Sequence, residues 1–179
     1  MLYFLDTNVV SNLRKAKANE SLRAWLTATP EEDICIPAPV IFEIQHGIET
    51  LRLDGKVEQA DQTEGWLDRM LDSRLGDNVI PLGMDAARLQ AKMFADPELR
   101  NFLQQDPRSA KLKFGADLII SAMAIVHQAA IVSFDRDFLE QIHGRYPLPG
   151  LFHPGRREWL ISPLEVVNND DPLDPKAST

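Results

Sequence analysis

Four carboxylates stand where strands end or helices begin, and their types suit hydrolytic chemistry. Asp6 follows the apolar run Leu2-Tyr3-Phe4-Leu5 and opens Asp6-Thr7-Asn8. A short apolar run bounded by a polar break reads as a buried central strand, and Asp, Thr and Asn are residues that start helices. Asp6 is therefore predicted at the C-terminal end of a strand, where open α/β sheets place their chemistry. Glu43 lies one turn into a helix opened by Pro37-Ala38-Pro39. Asp117 heads the apolar run Leu118 to Val126, and Asp135 ends the strand-like run Ala129 to Phe134. In a right-handed parallel sheet all four positions fall on one edge. Carboxylates gathered there repel one another unless a cation lies between them. An all-oxygen, partly open donor set suits Mg²⁺ or Mn²⁺. Such ions activate water and stabilise the attacking and leaving oxygens in phosphodiester hydrolysis. Taken singly, Glu43 also reads as compensation of a helix dipole, and Asp117 as a helix cap.

The elements that must position these residues alternate between strand and helix. Residues 8–15 and 21–27 have helical spacing, and Ile34-Cys35-Ile36 reads as a second strand holding a buried, unreactive Cys35. The pattern predicts a helix from Pro39 to Leu51 and a single long amphipathic helix from Lys56 to Leu75. Val79 to Leu82 is predicted as an edge strand because of Pro81. Asp85 is read as the cap of a helix to Ala95, and Asp96-Pro97 as the start of another through Gln104. After a basic loop from 107 to 113 comes the buried helix headed by Asp117, then the fourth strand and a short helix from Leu139 to Ile142. Residues 146–157 read as irregular, and Trp159 to Pro163 as a last edge strand. The fold class is α/β, one domain over 1–163 with a small, mostly parallel sheet. Residues 164–179 are set apart as an acidic, Pro-containing tail, and from Asn168 onward, where almost nothing is apolar, it is read as disordered.

Composition narrows the function. Nineteen Lys and Arg against 27 Asp and Glu leave a net charge of −8 and a pI near 5.0, which argues against nucleic-acid binding through a broad basic face. A nuclease whose ions supply local positive charge stays open. No signal peptide or membrane span is read, and a cytoplasmic location is expected. There is no P-loop, no Gly-rich dinucleotide loop, and no Ser-His-Asp or Cys-His set. Glu43…His46 and Glu140…His143 match the pairs of a di-iron carboxylate bundle, but strand-like runs interrupt the helices that such a bundle needs. A phosphatase or receiver-like domain would also place Asp at strand ends. A haloacid dehalogenase-type phosphatase needs a second Asp where Asn8 stands. A non-catalytic binding module, its carboxylates serving only as caps, is the remaining alternative.

The residues also carry a family resemblance. Asp6-Thr7-Asn8, Ile41-Phe42-Glu43 with Gly47, Ala116-Asp117-Leu118-Ile119-Ile120-Ser121-Ala122 and Ser133-Phe134-Asp135-Arg136-Asp137-Phe138 resemble, in order and spacing, the four acidic motifs of PIN-domain ribonucleases. The chain looks most like VapC-like toxins of bacterial type II toxin–antitoxin systems, including the FitB-like branch. The segments 96–113 and 146–159 are longer than usual in that pattern. The resemblance implies a three-layer α/β/α domain and Mg²⁺- or Mn²⁺-dependent endoribonuclease activity. It implies Asp6, Glu43, Asp117 and Asp135 as metal ligands, Asp137 as a secondary one, and Thr7 and Asn8 as supports. It also implies a homodimer and a small antitoxin partner. Arg14, Lys111, Lys113 and Arg136 are the candidate contacts to RNA phosphates.

Overall fold

The apolar run at the N-terminus forms β1 (Tyr3–Leu5), which lies inside a six-stranded sheet. The computed structural model describes residues 1–15, 19–99 and 115–163. The other strands are β2 (Ile34–Pro37), β3 (Val79–Ile80), β4 (Ala130–Val132), β5 (Leu151–His153) and β6 (Glu158–Ile161), in spatial order β3-β2-β1-β4-β5-β6. The first five pair in parallel, with Tyr3 opposite Ile34 on one side and Ala130 on the other. Only β6 runs antiparallel, against β5. All residues of β2 and β4 are buried, as expected of parallel strands covered on both faces. Edge strand β3 ends just before Pro81, whose missing N–H would break a ladder.

Helices flank the sheet in a three-layer α/β/α arrangement. They are α1 (Thr7–Leu13), α2 (Glu20–Ala28), α3 (Ala38–Leu53), α4 (Val57–Leu71), α5 (Arg74–Asp77), α6 (Met84–Ala95), α7 (Ala116–His127) and α8 (Asp137–Arg145). Every residue of α7 from Leu118 to Ala124 is buried, and the helix packs against α6, α3 and α8. Gly115 caps its N-terminus with φ +66°, a left-handed conformation that a side chain disfavours. On the other side of β1, Trp25 of α2 meets Tyr3 edge-on at 5.3 Å and Phe152 at 5.5 Å. Phe152 in turn meets Trp159 at 5.2 Å, so rings tie α2 to β1, β5 and β6. The buried carboxylate of Asp96 accepts from Arg145 Nε at 2.8 Å and Tyr146 OH at 3.2 Å. It thereby fastens the chain after α6 to the end of α8, and Arg145 holds it below the usual carboxylate range.

Four sequence expectations change. The helix predicted from Lys56 to Leu75 is two helices, α4 and α5. Ser73 Oγ donates to the Met70 carbonyl at 2.6 Å, a local bond that competes with helix continuation. Asp85 is not a cap; Gly83 holds that position, and Asp85 lies in the first turn. The segment 146–157, read as irregular, contains β5. The helix predicted as Leu139 to Ile142 spans Asp137–Arg145. The basic loop 107–113, the residues past Leu99 of the helix begun at Pro97, and the tail 164–179 lie outside the described residues.

The junction of α4 and α5 is closely built. A Cβ on Gly76 would lie 1.9 Å from the Leu71 carbonyl oxygen, so a side chain there must push backbone apart. Gly76→Ala is expected to destabilise the fold by about 1–3 kcal/mol, read as a lower urea midpoint at unchanged slope.

Candidate active site

The strand order sets where the site can form. Connections from β1 run through β2 to β3 on one side, and the chain then returns to place β4 on the other side of β1. The C-terminal ends of β1 and β4 thus flank a topological switch point, where an open α/β sheet leaves a crevice. Asp6 follows β1 directly, and its backbone N–H donates to the Val132 carbonyl at 3.0 Å, carrying the pairing one residue past the strand. Its own carbonyl accepts from Val9 and Val10 N–H and starts α1.

The Asp6 side chain is 4% exposed. Oδ1 accepts from Thr7 N–H at 2.6 Å, and Oδ2 accepts from Asn8 Nδ2 and Ser133 Oγ, each at 2.6 Å. An ordinary cap accepts from the second or third helical N–H; here the carboxylate accepts from the first helical N–H and the Asn8 side chain, and from Ser133 across the crevice. Asn8 and Ser133 each act twice. Asn8 Oδ1 accepts from Phe134 N–H at 3.0 Å, and Ser133 Oγ accepts from Asp135 N–H at 2.9 Å. The two side chains bind the start of α1 to the turn after β4.

Two further predicted residues, Glu43 and Asp135, act on Asp6 at this edge. On α3, buried Val40, Ile44 and Ile48 face the core and leave Glu43 half-buried. Thr7 Oγ1 donates to Glu43 Oε2, so the residue beside Asp6 grips the second acid. Asp135 is exposed, but its charge acts on Asp6, as does that of Glu43. Burial, with these two like charges added, pushes the Asp6 carboxyl up to about 6 against the pull of the Ser133 and Thr7 hydrogen bonds. Asp117 lies half-buried in the first turn of α7; the cap position belongs to Gly115, so the cap reading of Asp117 fails. Asp137 begins α8 and is exposed. Among the described residues, no three His, Cys, Asp or Glu side chains close tightly enough to hold an ion as placed.

The cationic candidates divide. Arg136 is engaged by Glu140 at 3.0 Å, one turn along α8. Arg14 donates to Thr63 Oγ1 of α4. It borders a hollow of about 200 Å³ between α1, α3 and α4, which Thr7 and Glu43 also line. Lys111 and Lys113 lie outside the described residues. The residue missed from sequence is Ser133, fully buried and bonded to Asp6. Its signal was a lone hydroxyl between Val132 and Phe134. The two Glu-x-x-His pairs are otherwise occupied: His46 stacks on Phe42, and His143 Nδ1 accepts from Leu148 N–H at 3.0 Å.

A pH dependence follows. Asp6 binds its proton more tightly folded than unfolded, so in metal-free buffer its contribution to stability falls as pH rises from about 4 to about 6 and then levels off. The decline attributable to this group is about 3 kcal/mol at most. Asp6→Asn should remove it. Melting wild type and variant in chelator between pH 4 and 7.5 checks this: the difference curve should slope across that window, and a flat difference would contradict it.

Comparisons with known proteins agree with this geometry. The family model described as PIN domain matches residues 3–142. The chain is 29% identical over 131 residues to VapC ribonuclease Y4jK of Sinorhizobium fredii, covering 73% of this chain and 85% of that protein. Its fold is similar to FitAcB from Neisseria gonorrhoeae, with TM-score 0.59 and 22% identity over 86% of this chain and 98% of that one. It is also similar to VapBC2 from Rickettsia felis bound to a DNA fragment from their promoter, with TM-score 0.58 and 21% identity over 83% and 96%. The match spans well over half of the sequence and takes in Asp6, Glu43, Asp117 and Asp135: this chain belongs to the PIN domain family.

Proposed function

We propose that this protein is a divalent-metal-dependent endoribonuclease and the toxic member of a toxin–antitoxin pair. The observation that carries the reading is the buried Asp6 carboxylate at the sheet's switch point, under pressure from Glu43 and Asp135. Three acids in one electrostatic environment call for a cation, and an oxygen-only donor set fits Mg²⁺ or Mn²⁺ in type. Asp6, Glu43, Asp117 and Asp135 would hold it, with Asp137 in support. When bound, the ion supplies Lewis acidity toward the phosphodiester and lowers the pKa of water. The chain's own residues do the rest. Thr7 orients Glu43, while Asn8 and Ser133 fix Asp6. Glu43, half-open to solvent, would take the proton of the water whose oxygen bonds to phosphorus, while the bond to the leaving sugar oxygen breaks and that oxygen takes a proton from solvent. The similarity to a protein named a ribonuclease supports the activity. The similarity to VapBC2 and FitAcB supports a small antitoxin as partner. A homodimer and a cytoplasmic site of action complete the proposal. No described helix is long and apolar enough to cross a membrane.

One observation favours the alternative of a non-catalytic partner-binding module: the acids do not close around a point as placed. Metal response separates the two. Purified protein should degrade RNA with Mn²⁺ or Mg²⁺ and stop in EDTA. Metal at a hundredfold excess over its dissociation constant should stabilise the fold by about 2.7 kcal/mol, and Asp6→Asn should lose most of that increment together with cleavage. RNA cleavage that persists in excess chelator, or no heat on titrating Mn²⁺ in a calorimeter, would overturn the metal-dependent reading.

A further inference from the structure

We infer that the groove leading away from Thr7 and Glu43 between α1, α3 and α4 seats a single-stranded RNA segment, with Trp66 as a platform for one unpaired base. The inference rests on the ribonuclease reading and adds where the strand beside the scissile bond lies. Two hollows carry it. The first, of about 200 Å³, is bounded by Thr7 and Glu43 at the acidic end and by Arg14 and Trp66 at the other. The second, of about 350 Å³, is lined by Arg14, Lys15, Gln62, Trp66 and Arg69. Arg14 and Trp66 border both, so the two hollows adjoin, one reaching Thr7 and Glu43 and the other reaching Lys15 and Arg69.

Charge and shape favour nucleic acid over a peptide here. In a chain of net charge −8, Arg14, Lys15 and Arg69, three of the cations that make no ion pair among the described residues, line this one depression. Unneutralised cations beside a half-buried aromatic are the elements of sequence-tolerant single-strand binding, in which phosphates meet the cations and a base stacks on the ring. A strand whose scissile phosphate lies at Asp6 and Glu43 must place its neighbouring nucleotides along an adjoining channel, and this one begins at those residues. Paired RNA offers no free base face to an indole.

The test uses the full chain, a short fluorescein-labelled oligouridylate as probe with Ca²⁺ as divalent ion, and total RNA with Mn²⁺ for cleavage. Trp66→Ala should weaken oligouridylate binding roughly five- to hundredfold, and Trp66→Phe should keep most of it with an unchanged melting temperature. Arg69→Gln and Lys15→Gln, both at exposed positions, should each weaken binding and lower the log–log salt slope by about 0.7. Arg74→Gln, which removes a cation paired with Glu31 away from the groove, should change neither. Wild-type affinity and salt slope in the Trp66, Lys15 and Arg69 variants would overturn the inference, assign the groove to a protein partner, and leave the ribonuclease reading standing if total RNA is still cut. Wild type that cuts total RNA without binding oligouridylate would overturn it as well. Wild type that neither binds nor cuts RNA would bring down the ribonuclease reading and this inference together.

Discussion

The burial of one carboxylate beside two others is the constraint on which the acidic edge depends. Asp6 is almost sealed from water, and an isolated charge in such a place is strongly disfavoured. Three hydrogen bonds from Thr7, Asn8 and Ser133 offset part of that cost, and they also settle where the chain goes. Asn8 belongs to the first helix and Ser133 to the turn after β4, yet both converge on one carboxylate oxygen. The amide oxygen of Asn8 and the same hydroxyl of Ser133 also accept from backbone N–H groups of that turn. The carboxylate thus organises two segments far apart in sequence, and what remains unsatisfied is its repulsion with Glu43 and Asp135. That residual tension is what a bound cation would relieve.

The rest of the fold keeps this junction rigid. Buried β1 has a parallel neighbour on each side, so Asp6 leaves the sheet from a strand that cannot shift register without exchanging Phe4 and Leu5 between the two buried faces. The apolar helix α7 feeds β4 from below and is packed on three other helices. On the far side, the Asp96–Arg145–Tyr146 cluster anchors the end of α8, the helix that follows Asp135 and Asp137.

Much of this was legible because burial writes itself into short apolar runs. Leu2 to Leu5 and Ala129 to Phe134 end abruptly in polar residues, and each proved to be a parallel strand delivering acid at its C-terminal end. The near-continuous apolar run after Asp117 could only be a buried helix. What escaped the reading has equally physical reasons. Strand β5 is three residues long and lies in a stretch broken by Pro147, Pro149, Gly150 and Pro154, where periodicity has no room to show. The break between α4 and α5 depends on a serine hydroxyl turning back on its own backbone, an option that a hydrophobic pattern does not encode. The same holds for Ser133, whose partner lies 127 residues away. Trp66 lies on the helix predicted from its amphipathic pattern, but that pattern does not show that it packs on the core and also borders two hollows.

That separation of 127 residues between Ser133 and Asp6 has a consequence for the chain during its synthesis. Central strand β1 gains β2 early, but its other neighbour, the donor from Ser133 and the acid at Asp135 all arrive more than a hundred residues later. Closing so long a loop is entropically costly, and contacts of such high order form late in folding. A nascent polypeptide on the ribosome therefore holds Asp6 by its neighbours Thr7 and Asn8 alone until Ser133, 127 residues on, has been made and folded back against it.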